Sequence, residues 1–189
     1  NDMFQEKKLF LIDAYALIYR AYYAFIKSPR ISSKGVNTSA VLGFVNTLED
    51  VLKNCKPTHI GVAFDPSSPT FRHEIYSEYK AQRQITPEDI KLSIPVIKEI
   101  ISAYNIPIIE VDGFEADDVI GTLSHIAADE GFQVFMLTPD KDYAQLVKDS
   151  LESLAGKIDG LVSIEVGINH PETPASNYDV VLNCTLESV

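Results

Sequence analysis

The amino-acid sequence predicts an α/β fold with a mostly parallel central sheet and a β-hairpin-like extension at its C-terminal end. Three observations predict it. Short apolar runs of strand length alternate with amphipathic stretches of helix length as far as about residue 154. Each of the first four runs is followed by an acidic residue. Beyond residue 156 the helical spacing gives way to period-two alternation. Alternating strands and helices imply right-handed crossovers and so a parallel sheet.

The elements follow in order. Residues 8–12 are an apolar run ending at Asp13. Residues 14–26 carry Ala, Leu, Ile, Tyr and Phe at helical spacing. Pro29 and Gly35 mark residues 28–37 as a loop. Residues 38–54 read as a second helix, with Val41, Leu42, Val45, Leu48, Val51 and Leu52 on its apolar face. A second strand spans residues 59–64, ends at Asp65 and is broken by residues 66–69. Thr86-Pro-Glu-Asp has the form of a helix start, with Thr86 as cap and Pro87 in the first turn, and that helix reaches about Tyr104. Residues 106–111 are a third strand, and residues 115–130 a helix that Gly131 ends. Residues 132–137 are a fourth strand, running toward Asp140, and residues 142 to about 154 are helical. Residues 161–168 and 178–186 alternate with period two around the turn-rich stretch 170–177. Val162, Ile164 and Val166 share one face; Val180, Leu182, Cys184 and Leu186 share another. The chain stops at Val189 directly after a strand, as expected of a truncated domain.

A hydrophobic content of 46% and a charged content of 23% are those of a soluble globular domain, and 189 residues suffice for one domain and a fragment. No apolar run approaches the roughly 20 residues of a membrane span, and the polar residues 1–8 carry no signal segment. The expected location is cytoplasmic. Cys55 and Cys184 are expected to be reduced thiols. Scattered histidines without a Cys-x-x-Cys pair argue against zinc. The net charge of −11 opposes nucleic-acid binding, which rests on neutralising phosphates. Its distribution relaxes that objection. Residues 20–83 hold nine Lys/Arg against five Asp/Glu, and the chain from Asp149 onward holds one Lys against seven acids. A basic stretch beside carboxylates suits a metal-dependent nuclease; an acidic solvated surface accounts for the same totals.

Asp13, Asp65, Asp112 with Glu115, Asp117 and Asp118, and Asp140 with Asp142 follow the four strands in turn. In an open parallel sheet, ligands bind beyond the carboxyl ends of the strands, so these acids are expected to converge on one edge. Any one of them also serves as the N-cap of the next helix, and Asp112 beside Gly113 reads as a turn residue. Several carboxylates brought together repel one another unless a cation joins them. Oxygen-only donors favour Mg²⁺ or Mn²⁺ over zinc. Two such ions activate a water and stabilise the leaving oxygen in phosphodiester cleavage. On a helix Glu115 and Asp118 share a face, while Asp117 is rotated about 100° from Asp118. Residues 71–83 follow Asp65 and place Arg72, Tyr76, Lys80 and Arg83 at helical spacing, a stripe suited to phosphates and stacked bases. A solvated helix with its tyrosines packed inward fits the same pattern. Tyr19, Arg20, Tyr22 and Tyr23 follow Asp13 in a similar way.

Five segments resemble, in order and in spacing, motifs of the 5′-nuclease domain of the DNA polymerase I family. They are Leu11-Ile-Asp-Ala, Val62-Ala-Phe-Asp, Phe71-Arg-His-Glu with Tyr79-Lys-Ala-Gln-Arg, Gly113-Phe-Glu-Ala-Asp-Asp-Val-Ile-Gly-Thr-Leu, and Thr138-Pro-Asp-Lys-Asp-Tyr-Ala-Gln-Leu-Val. The resemblance covers about residues 7–148. It implies a PIN-like three-layer α/β/α fold and a metal-dependent 5′-3′ exonuclease or flap endonuclease of DNA replication and repair. Such an enzyme hydrolyses phosphodiester bonds at 5′ ends, flaps and branched duplex with Mg²⁺ or Mn²⁺, as two ions. It implies Asp13, Asp65, Glu115, Asp117, Asp118, Asp140 and Asp142 as metal-site carboxylates. It implies Lys80 and Arg83 at the scissile phosphate, so that catalysis rests on Asp13, Asp65, Lys80 and Arg83, with Arg20, Arg72 and Tyr76 as further DNA contacts.

The family's Gly-Asp-Ser-Ser-Asp-Asn-like segment and its helix–hairpin–helix element are not found in these residues. Residues 151–167 and 178–188 are similar instead to part of a stress-responsive α/β-barrel domain of the Dabb type, which closes its barrel by dimerising. The expected organisation is a nuclease domain over 1–148 and a partial barrel-like tail over 149–189, with a seam near 148–151. An isolated two-stranded hairpin is marginal in water, so the tail strands need a partner. They either extend the edge of the nuclease-like sheet or dimerise through residues 160–189. The first is preferred, because intramolecular pairing has the higher effective concentration. Besides the nuclease, two other functions stand open: a non-catalytic or weakly active PIN-like DNA-binding module, and a dimeric α/β-barrel interaction protein.

Overall fold

A computed structural model describes residues 7–75, 86–138, 161–168 and 180–186, the last two stretches and residues 73 and 74 by their backbone only. In chain order the elements are β1 (Lys8–Asp13), α1 (Ala14–Ala24), α2 (Ser39–Asp50) running into a π-helical turn (Val51–Cys55), β2 (His59–Ala63), α3 (Phe71–Ile75) and α4 (Glu88–Ala103). They continue with β3 (Ile108–Ile109), α5 (Ala116–Asp129), β4 (Gln133–Leu137), β5 (Leu161–Ile168) and β6 (Val180–Leu186). The expected helix over residues 142–154 lies outside the described residues.

Four strands pair in the order β3-β2-β1-β4, all parallel. The chain steps from β1 outward to β3 and then returns to the other side of β1, so the order reverses between β1 and β4. A crevice opens at such a switch point, beyond the carboxyl ends of the strands.

Side chains alternate across the sheet with the period of the pleat. Phe10, Ile12, Val62 and Phe64 pack with α1, α2 and α4 into one core. Leu11, Ala63, Val134 and Met136 pack with α5 into another. The sheet is therefore covered on both faces, giving the three-layer α/β/α arrangement expected. α1 buries Ala14, Leu17, Ile18 and Ala21, one face of a helix.

Three elements differ from their sequence reading, each for a physical reason. α2 buries Ser39, Ala40, Phe44, Thr47 and Leu48, while Leu42 is 39% exposed. A Cβ built at Gly43 would stand 2.6 Å from the Cβ of Ala21. The close approach of α1 and α2 at this glycine sets the rotation of α2, and Phe44 beside it falls into the core. α4 begins at Glu88 with Pro87 as its N-cap. Thr86 does not cap it; its hydroxyl accepts a hydrogen bond from Tyr19 Oη at 2.8 Å. β3 comprises two residues; on its N-terminal side Pro107 has no N–H to give the ladder. The segment pairs through its carbonyls, Pro107 accepting from Val62 N at 3.0 Å and Ile109 from Phe64 N at 2.9 Å.

Gly131, at φ +79°, ends α5 as expected. β5 and β6 are antiparallel, from Ile168 opposite Val180 to Leu161 opposite Leu186, which is the hairpin-like extension. β6 comes against β4, the edge strand of the parallel sheet. Cys55 is a free thiol. No helix among the described residues is long and apolar enough to cross a membrane.

Candidate active site

The ladder sets Asp13 opposite Ala63, so Asp65 follows two residues beyond that pair at the same edge. β3 also ends there, and the turn after it leads into α5. Asp13, Asp65 and the Glu115-Ala-Asp-Asp run thus share the carboxyl edge of the sheet, as their recurrence at strand ends predicts.

Each acid also does local structural work. Asp13 is the N-cap of α1 and accepts from Ala16 N at 3.1 Å. Asp65 Oδ1 accepts the Ala116 N–H at 2.8 Å, tying the end of β2 to the first turn of α5. Glu115 is buried and caps α5 through a capping box: its side chain accepts from the backbone of Asp118, and Asp118 accepts the Glu115 N–H at 3.1 Å. Asp117 lies in the same first turn, where the helix dipole favours negative charge. Asp112 lies in the turn after β3, as expected, and accepts from Ser68 Oγ at 3.1 Å.

Arg72, expected on a DNA-facing stripe, is turned to protein carboxylates. Its Nη1 and Nη2 donate to Asp118 at 2.5 and 2.7 Å. Nη1 is also 3.5 Å from Glu115, and the guanidinium lies 4.6 Å from the centre of the Phe71 ring. Phe71 donates its N–H to Gly113 O at 2.8 Å, and its ring lies 5.7 Å from that of Phe114. Gly113 holds φ +84°, a turn conformation that side chains disfavour. Arg20 lies in α1, seven residues beyond Asp13. Tyr76, Lys80, Arg83, Asp140 and Asp142 lie outside the described residues.

Several neighbours of this edge carry no sequence signal. Burial pushes the Tyr15 hydroxyl up from its ordinary range, and the Asp65 and Glu110 carboxylates push it further. Its ring meets Phe64 edge-on at 5.8 Å. Lys98 of α4 stands 4.7 Å over the Phe64 ring and pairs with Glu110 at 2.7 Å. Nothing local distinguishes Lys98 from any other lysine on a helix; only the packing of α4 brings it here.

Among the described residues no group of three or more His, Cys, Asp or Glu is gathered closely enough to hold a metal ion. Two of the expected ligands, Asp140 and Asp142, fall outside them. The donors that the edge does offer are all carboxylate oxygens, the chemistry of a site for a hard divalent cation.

Residues 8–170 match the family described as 5'-3' exonuclease, N-terminal resolvase-like domain. The chain belongs to this 5′-3′ exonuclease family. The match runs past residue 148 and takes in all five motifs. DNA polymerase I of Treponema pallidum (strain Nichols) is 46% identical over 156 residues, 82% of this chain and 16% of that protein. The 5'-3' exonuclease of Aquifex aeolicus (strain VF5) is 40% identical over 145 residues, 77% of this chain and 50% of that protein. The chain thus spans only part of these relatives. Among solved structures, T5 5'-exonuclease with divalent zinc ions bound superposes with a TM-score of 0.56 at 22% identity, covering 74% of this chain and 52% of that one. T5 D15 protein co-crystallised with metal ions gives 0.51 at 22% identity, covering 72% and 50%. At that identity the likeness supports the fold alone.

Proposed function

We propose that this chain carries the catalytic part of a metal-dependent 5′-3′ exonuclease or flap endonuclease, acting on DNA in the cytoplasm. The observation that carries the reading is the convergence of Asp13, Asp65 and the Glu115–Asp118 turn on one edge of a parallel sheet, in a chain of the 5′-3′ exonuclease family. Asp13, Asp65, Glu115 and Asp117 would hold Mg²⁺ or Mn²⁺, with Asp140 and Asp142 as the further ligands that make room for two ions. Such a cation supplies charge stabilisation and an activated water at a phosphodiester. The protein supplies the rest. Capping by Asp13 and Asp65 fixes their carboxylates against the sheet edge. Tyr15, held protonated, places a neutral hydroxyl near Asp65 without adding to the negative charge. Lys80 and Arg83 bind the scissile phosphate, and Tyr76 stacks on an exposed base. The substrates are 5′ ends, flaps and branched duplex.

The test is cleavage of a fluorescent 5′-flap DNA in Mg²⁺ or Mn²⁺, run beside calorimetric titration of the metal. Metal binding with cleavage is the expected result. Metal binding without cleavage selects a non-catalytic DNA-binding module. Neither, with dimerisation through residues 160–189, selects an interaction protein.

A second expectation concerns substrate contact. Lys80→Ala and Arg83→Ala should each weaken flap-DNA binding and lower the slope of log affinity against log salt by about one. Binding isotherms over a salt series check it. Slopes equal to that of the parent would make these residues part of a solvated face.

A further inference from the structure

Asp118 stands in the acidic run that the sequence assigns to a metal, yet both of its oxygens are engaged by protein. Oδ1 accepts from Arg72 Nη2 at 2.7 Å, and Oδ2 accepts from Nη1 at 2.5 Å and from the Glu115 N–H at 3.1 Å. Two parallel charge-assisted bonds fix orientation as well as distance. Both partners are sheltered, Asp118 at 23% and Arg72 at 33% side-chain exposure. Behind Arg72, the Phe71 ring backs the guanidinium, and the Phe71 N–H is bound to Gly113 of the same turn. To turn its carboxylate toward a cation, Asp118 would have to give up the bidentate geometry and leave the guanidinium with the longer, 3.5 Å pairing to buried Glu115. The capping box makes the backbone of Glu115 hang from Asp118. Arg72, by holding Asp118, thus also holds the Glu115 end of the turn, with Asp117 next to Asp118 in the same turn.

We propose that Arg72 and Asp118 are positioning residues of the catalytic edge: the pair is a clamp that orients Glu115 and Asp117 toward a divalent cation, and Asp118 is not itself a ligand. This rests on the metal-dependent reading above. Arg72 is then not a DNA contact either, since its fork is spent on the clamp.

The test is Mn²⁺ titration calorimetry on the whole chain, comparing the parent with Arg72→Gln, Asp118→Asn, the double variant and Arg72→Lys. Charge alone moves the two single variants in opposite directions. Arg72→Gln removes a cation and would tighten Mn²⁺ binding, whereas Asp118→Asn removes an anion and would weaken it. Loss of position weakens both. The expected result is about tenfold weaker Mn²⁺ binding in each, the scale found when groups that orient metal ligands are removed. Stoichiometry should be unchanged, and the double variant no weaker than either single, because the two residues act as one unit. Arg72→Lys keeps the charge but not the fork, and should recover part of the loss. If Arg72→Gln does not fold, Arg72→Lys carries the comparison through its own, smaller weakening. Affinity in the folded Arg72 variants equal to or tighter than the parent's overturns the clamp while leaving the metal-dependent reading intact. A parent chain that takes up no Mn²⁺ overturns both.

Discussion

Asp13→Asn and Asp65→Asn are each expected to lower cleavage of a 5′-flap DNA by about a thousand-fold, equivalent to about 4 kcal/mol of transition-state stabilisation. The size follows from what the substitution removes and what it keeps. Asn retains a side-chain oxygen, so Asp13→Asn can still accept from Ala16 N and Asp65→Asn from Ala116 N. Asn caps helices about as well as Asp, and the expected change in unfolding free energy is under about 1 kcal/mol. The loss should then be one of negative charge at the sheet edge, where the carboxylates are read as the cation's ligands. Paired measurements decide: flap cleavage rates in Mg²⁺ beside denaturant unfolding of the same samples. Rates within tenfold of the parent, in variants as stable as the parent, would remove Asp13 and Asp65 from the catalytic set. A large fall in stability would make their capping role the greater one.

The parts of this site legible from sequence were those with a short-range signature. Asp13 and Asp65 each follow an apolar run that reads as a strand, and the edge they share follows from the parallel topology the alternation demands. Helical spacing brings Glu115 and Asp118 together on one face, whereas Glu115 is the extended N-cap just outside α5 and meets Asp118 through a capping box. What sequence could not supply were contacts between distant segments. Arg72 meets Asp118 across 46 residues and Asp65 meets Ala116 across 51. Neither pairing has a local pattern, and Arg72 read naturally as one more cation on a basic stripe. Tyr15, Lys98 and Glu110 escaped for the same cause. Where local rules misled, a tertiary contact outweighed them. Thr86 has the right residue type for an N-cap, but its hydroxyl serves Tyr19. Ile106, Ile108 and Ile109 have the pattern of a longer strand, but Pro107 removes a donor at its start.

The rotation of α2 gives the largest expected effect on stability. Periodicity puts Val41, Leu42, Val45, Leu48, Val51 and Leu52 on the buried face; Leu48 and Val51 are buried and Val41 and Leu52 pack against the same cluster, but Leu42 turns outward and the structure gives the centre of the core to Phe44, which is 0% exposed. Phe44 packs in the cluster of Phe10, Ile12, Val62 and Phe64 with α1 and α4. Its truncation leaves a cavity between a helix pair and a sheet, and Gly43 against Ala21 already holds α1 and α2 at close approach, so the space cannot collapse by moving the helices together. Phe44→Ala should therefore cost about 3–5 kcal/mol, the upper range for core truncations. That is a large share of the roughly 5–15 kcal/mol that holds a typical domain, and it corresponds to a melting point lower by about 6–20 °C for a chain of this size. Leu42→Ala, on the outer side of the same helix, should cost less than about 1 kcal/mol. Denaturant unfolding of the two variants beside the parent reads the difference directly. If Leu42→Ala were the more damaging, α2 would sit with the face that periodicity alone selects, and the close contact of Gly43 with Ala21 would not be what sets its rotation.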